Sequence, residues 1–300
     1  MKIQHAPLKT LAEKNKEVMK VLEKPTVGFS EFCLEVDKRF PSFPVKAMDP
    51  TYLLGRWRYT QGVYALDPLI EKELLKSDKG EIPTEALRYL PEWAVYISTR
   101  AVPSLEGFFF TFSEDGEWGN TLLFLLIWKD GVEQNFALEA RETLHESLEV
   151  ATLYGNRGVD VDRKAISQLL SRLFNLVLYL CSKNREIGPK APNKPIPKKT
   201  KKGTRYLVPS HPRMWEVAFR KGADLRRKLK QVSDLEVEGS TTGRKNRPHI
   251  CRAHFRWQAC GKAWKDHELR WIDPQFRGFR DSGIQPGEQP AVQRDVPPAN

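Results

Sequence analysis

Three short runs of aromatic and aliphatic residues, at 93–98, 107–112 and 121–128, leave few folds open to this chain. Each has strand length, and Gly116, Gly119 and Lys129-Asp130-Gly131 supply turn residues between them. Connections this short suit antiparallel neighbours, because a parallel crossover needs a dozen residues or more. With 133–138 as a fourth member, the pattern predicts a meander of three or four antiparallel strands. The apolar run 122–128 suits a strand buried on both faces.

Helical periods surround this sheet. Residues 8–23 place Leu8, Leu11, Val18 and Leu22 among lysines and glutamates, and Pro25 ends the run. Phe32, Val36 and Phe40, four apart, predict a second helix over 30–40. Residues 52–59 and 68–76 read as short helices around the turn Gln61-Gly62, and 139–150 is helical in character. The clearest helix is 162–181, where Ile166, Leu169, Leu170, Leu173, Phe174, Val177 and Leu180 form a wide apolar stripe. The expected fold class is α+β: helices packed on a small antiparallel sheet, then a basic helix plus β-hairpin C-terminal part.

Charge divides the chain. Residues 1–182 carry 22 Lys+Arg against 26 Asp+Glu, whereas 183–300 carry 27 against 12, a net of −4 followed by +15. Such asymmetry marks a polyanion-binding part. The predicted organisation is an acidic domain over 1–182, a basic Pro/Lys-rich linker over 183–210, a basic domain over 211–280 and a disordered tail over 281–300. Within the linker, Lys198-Lys199-Thr200-Lys201-Lys202 reads as a solvated tether in preference to a phosphate-contacting arm. Ser210 and Pro212 would open a helix over 212–232 bearing Arg226, Arg227 and Lys228. Residues 247–279 alternate as a twisted hairpin whose polar positions are mostly basic or histidine, with Phe255, Trp257, Trp264 and Trp271 interleaved.

Met1 to Lys20 is polar and lysine-rich, unlike a signal peptide, and the run 122–128 is too short to span a bilayer. Cys33, Cys181, Cys251 and Cys260 are widely spaced and read as reduced thiols in a cytoplasm. The phosphate-cradling glycine loops and the common zinc-protease and serine-hydrolase motifs are missing from the sequence. No cofactor and no membrane partner is expected. His249, Cys251, His254 and Cys260 could be imagined as zinc ligands, but strand parity sets His254 opposite His249 and Cys251, so no metal site is expected.

The sharpest chemical constellation is His249, Arg252 and His254, which could supply base, acid and charge stabilisation for metal-free cleavage of RNA. Parity again opposes it. Binding outweighs catalysis, with Arg226, Arg227, Lys228, Arg247, Arg252, Arg256 and Arg270 as cationic contacts and Trp257 as a stacking platform. Against that, Trp257 and Trp271 also suit the space beneath the hairpin, and at least one of them is expected to fill it. A DNA-binding regulator using the basic helix is a third reading.

Three segments together resemble a known family: 55–67 (Gly55-Arg56-Trp57-Arg58-Tyr59 through Gly62-Val63-Tyr64 to Leu66-Asp67), Leu90-Pro91-Glu92-Trp93-Ala94-Val95-Tyr96, and Arg247-Pro248-His249-Ile250-x-Arg252-x-His254 with Arg270-Trp271 downstream. This is the family of larger type V-A anti-CRISPR inhibitors carried by phages, plasmids and other mobile elements. The resemblance implies an inhibitor, acting in the cytoplasm of a bacterial host, that lowers production of the type V-A effector nuclease. It implies partners too: the effector's nascent N-terminal peptide at the ribosome, with loss of the messenger RNA following. No motif assigns peptide-binding residues. That the helix-and-sheet part holds peptide and the basic part meets RNA or ribosome is a hypothesis beside the resemblance.

Overall fold

The computed structural model describes residues 50–116, 119–149, 163–188, 192–201, 203–237 and 249–277, together with Cys33, Leu34, Asp37 and Lys38. The helix predicted over 8–23 and the tail over 281–300 lie outside the described residues. Of the helix predicted over 30–40, the four described residues are helical.

The chain order is α1 (Pro50–Trp57), β1 (Gly62–Leu66), α2 (Pro68–Lys76), a 3-10 turn (Thr84–Tyr89), β2 (Ala94–Ser98), β3 (Leu105–Gly116), β4 (Gly119–Trp128) and β5 (Glu133–Glu139). Then come α3 (Leu144–Glu149), α4 (Arg163–Cys181), β6 (Ile187–Gly188), β7 (Lys198–Thr200), β8 (Gly203–Arg205), β9 (Arg213–Val217) and α5 (Phe219–Val237). The last elements are β10 (His249–Cys251), β11 (His254–Cys260), β12 (Asp266–Ile272) and β13 (Gln275–Arg277).

The α+β class is as expected, and β2 to β5 form the antiparallel meander. The sheet itself is larger and mixed. Seven strands run β5-β4-β3-β2-β1-β9-β6, with β1 parallel to both β2 and β9. Two elements were misread from sequence. Between the two short helices the sequence predicts only the turn Gln61-Gly62, yet Gly62–Leu66 form the central parallel strand, buried at every position. Residues 213–217, taken as the start of a basic helix, form β9, and the helix begins only at Phe219. Ala218 sits between them at φ 59, a left-handed residue that turns strand into helix.

Period-two alternation sorts the sheet's side chains. Phe108, Phe110, Leu122, Phe124 and Leu126 face α2, α4 and the 3-10 turn, whereas Phe109, Leu123, Leu125 and Ile127 face α1 with Leu53, Leu54 and Trp57. β4 is buried on both faces, as its unbroken apolar run predicted. On the α4 side, Phe174 stands edge-on to Phe124 at 4.9 Å and to Phe110 at 5.8 Å. Each such fully buried side chain contributes about 1.5–3 kcal/mol through the area it removes from water.

Residues on both sides of 183–210 share this interior: Val217, Leu225, Phe255, Leu269 and Trp271 belong to the same buried cluster as Phe110 and Phe174. The hairpin β11–β12 docks through Trp271, which is fully buried beside Tyr179 and donates its indole Nε1 to Ser77 Oγ at 3.1 Å. Asn184 imitates a neighbouring strand, donating to Trp271 O at 2.7 Å and accepting from Trp271 N at 3.1 Å. Among the described residues, no helix is long and apolar enough to cross a membrane.

Candidate functional site

The three parallel strands β2, β1 and β9 begin at one rim of the sheet, and motif residues gather there. Gly62 opens β1, and a Cβ on it would lie 2.0 Å from Glu92 Oε2, so the missing side chain makes room for that carboxylate. Glu92 is 2% exposed and accepts from Thr60 Oγ1 at 3.0 Å. Burial raises its pKa to about 7, against the opposing pull of donors on Thr60, Tyr64 and Trp215 and of the Arg213 charge. The Tyr64 hydroxyl and the Trp215 indole N–H are buried without a hydrogen bond of good geometry. Burial, followed by the Glu92 charge, raises the Tyr64 pKa as well. Beside the carboxylate, Tyr59, Trp93 and Tyr206 form a mutual edge-on triad with centroids 5.1–5.5 Å apart, and the Arg58 guanidinium lies 4.5 Å from the Tyr59 ring. Trp215 and Met214 lie on β9, whose outer side pairs with β6 only at Val217 and Glu216.

The opposite rim is closed by ion pairs. Asp67 caps α2 by accepting from Leu69 N at 3.0 Å and Ile70 N at 3.4 Å, and it receives Arg226 Nη1 at 2.8 and 3.0 Å. Gly222 lets α5 approach this carboxylate, since a Cβ there would lie 2.2 Å from Asp67 Cγ. Glu186 caps α5 in turn, accepting from Arg220 N at 3.0 Å and Lys221 N at 3.1 Å. Lys221 Nζ reaches Asp273 at 3.0 Å and lies 5.5 Å from the Trp271 ring.

The residues predicted from sequence therefore fall in several places. Arg226 holds Asp67, Arg227 pairs with Asp224, and Lys228 is half-buried. Arg252, His254 and Arg256 are exposed near or along β11. Arg270 Nε pairs with Glu268 at 2.5 Å on the outward face, and Trp257 stacks on His267 at 5.7 Å with planes 8° apart. Of the two tryptophans expected beneath the hairpin, Trp271 is the one fully buried. His249 lies on β10, opposite Arg277, whereas His254 lies on β11, opposite Ile272, so the two belong to different two-stranded sheets. His254 Nδ1 is 3.5 Å from the Arg252 carbonyl. Arg247 lies outside the described residues. Among the described residues, no group of three His, Cys, Asp or Glu side chains could hold a metal ion.

Sequence reasoning missed the Glu92 cluster. Its only signal was the pairing of a Gly-x-Tyr segment with a Pro-Glu-Trp segment, and neither reveals that the carboxylate sits against the glycine. It also set aside the lysine run at 198–202, of which 198–200 form one strand of a two-stranded ribbon, β7–β8.

The fold is that of a known structural class: the crystal structure of AcrVA2 superposes with a TM-score of 0.56, covering 92% of this chain and 99% of that one at 22% sequence identity. Residues 64–276 match the AcrVA2-like family, the anti-CRISPR type V subtype A2 family, and this chain belongs to it. Protein FinQ of Escherichia coli is 27% identical over 230 residues. That alignment takes in 65% of each protein, so the chain spans just under two thirds of that relative's length.

Proposed function

We propose that this chain is an inhibitor of type V-A CRISPR systems, carried by a mobile element, that acts on production of the effector nuclease. It recognises the effector's N-terminal peptide as it leaves the ribosome and brings about loss of the messenger. Membership of the anti-CRISPR type V subtype A2 family carries the reading, because the matched span runs from Tyr64 to Phe276 and takes in Glu92, Trp215 and the hairpin.

An extended peptide has a physically suitable berth at β9. Arg213, Met214 and Trp215 have no strand partner on the outer side among the described residues, and backbone pairing to a sheet edge captures extended chains. Trp93 and Tyr206, packed on the buried Tyr59, lie at the same rim and offer half-buried aromatic surface. Cutting the chain near Lys194 to assign peptide and RNA binding to separate halves is a poor test, since it would strip β9 and Trp271 from the shared sheet and core.

The decisive experiment follows the effector messenger in cells making this protein, for a native reading frame, a synonymously recoded one and one with an altered N-terminal peptide. Loss of the first two messages, with the third spared, is the expected result. Survival of all three sinks the reading.

A further inference from the structure

From Ile187 to Trp215 the chain carries eight lysines and arginines and no aspartate or glutamate. Part of this stretch is a built ribbon rather than a tether. β7 and β8 pair antiparallel, Thr200 Oγ1 donates to Gly203 O at 2.7 Å, and Gly203 takes the turn at φ 98, a conformation that favours glycine. We propose that this ribbon grips the phosphate backbone of RNA without reading its sequence.

Four observations carry the assignment. Lys198, Lys199 and Lys201 are exposed, and none of their side chains has a hydrogen bond or ion pair among the described residues. Lys198 stands directly opposite Arg205, so two cationic side chains share one position of the ribbon. The base is fixed: Tyr206 packs on Tyr59 and Trp93, Lys194 Nζ donates to Arg88 O at 3.4 Å, and Gln61 Nε2 donates to Pro209 O at 2.8 Å. A cationic arm held at its root loses less freedom on binding than a free tether would. Finally, these three cations are all lysines, two on a strand of three residues and Lys201 in the turn that follows it. Lysine is a point charge suited to phosphate, whereas base edges are read chiefly by forked or amide side chains on longer elements.

The charge argument selects nucleic acid. The choice of RNA over DNA rests on the proposed action at the translation machinery. The test uses the full chain and a variant carrying Lys198→Gln, Lys199→Gln and Lys201→Gln, with Lys262→Gln/Lys265→Gln at the exposed β11–β12 turn as control. Fluorescence anisotropy measures binding to a short mixed-sequence RNA and to the duplex DNA of the same sequence across a salt series.

The triple variant is expected to lose about tenfold or more in RNA affinity and to lower the slope of log affinity against log salt by about 2. The control should keep both. Unchanged binding of both nucleic acids in the triple variant, or binding of neither by the parent, overturns the ribbon; loss confined to DNA overturns the choice of RNA. The same variants, expressed beside the effector, separate this inference from the function it rests on. If the parent lowers the messenger and the triple variant does so equally well with RNA affinity intact, the ribbon fails and the function stands. If the parent leaves the messenger untouched, the function fails while the RNA affinities still decide the ribbon.

Discussion

Two antiparallel hairpins, β11–β12 and β7–β8, look alike in sequence as basic, punctuated strands, yet they behave oppositely in the fold. In β11–β12, Phe255 faces Trp271 on the inner side, while on the outer side Gln258 donates to Glu268 at 3.0 Å and Arg270 pairs with the same carboxylate. Its inner face is sealed by Tyr179, Ser77 and Asn184. In β7–β8 no strand residue is buried, and the facing pair is Lys198 with Arg205. A basic stretch is thus not one thing. Arg226, Arg270 and Lys221 have carboxylates within the protein, and the ribbon lysines have none among the described residues. The positive charge that reaches outward is best sought where internal partners are missing.

The sharpest way to break the comparison is Trp271→Ala. Removing a fully buried indole that also donates to Ser77 should cost about 4 kcal/mol in urea unfolding and free the hairpin from the core. A loss below about 1 kcal/mol would mean that the hairpin is as peripheral as the ribbon.

A smaller effect is expected at the rim where the ribbon is rooted. Glu92 has a folded pKa of about 7 against an ordinary 4.5, so the folded state holds the proton more tightly. Its contribution is therefore fullest below the unfolded value and is lost as pH rises through the folded one, a penalty of about 3 kcal/mol developing across that window. Glu92→Gln should flatten this dependence in unfolding midpoints measured on either side of the window. An unchanged pH profile would show that the carboxylate is not held neutral.

The smallest effect on stability belongs to the ribbon itself. Replacing Lys198, Lys199 and Lys201 together by glutamine should move the unfolding free energy by less than about 0.5 kcal/mol, because these exposed side chains have no partner among the described residues to hold in place. A marked destabilisation would make the ribbon a structural element after all.

Much of this architecture was written locally. The runs that became β2, β3 and β4 declare themselves by strand length and intervening glycines, and α4 by an apolar stripe at helical spacing, because such features depend only on a residue's near neighbours. The motif segments were legible too, and they marked the family before the fold was known. The errors fell where local and distant forces compete. Gly62–Leu66 is too short to show a period, and only Val217 of Arg213–Val217 is buried, so pairing within the sheet fixed both as strands. The acidic and basic segments looked separable because charge is additive along the chain, whereas burial is not: Val217, Leu225 and Trp271 complete a core begun near Tyr64. In the same way the sequence by itself determined which residues carry charge, and the tertiary structure alone decided which of those charges are matched. Asp67 meets Arg226 across 159 positions, a distance over which composition says nothing about contact.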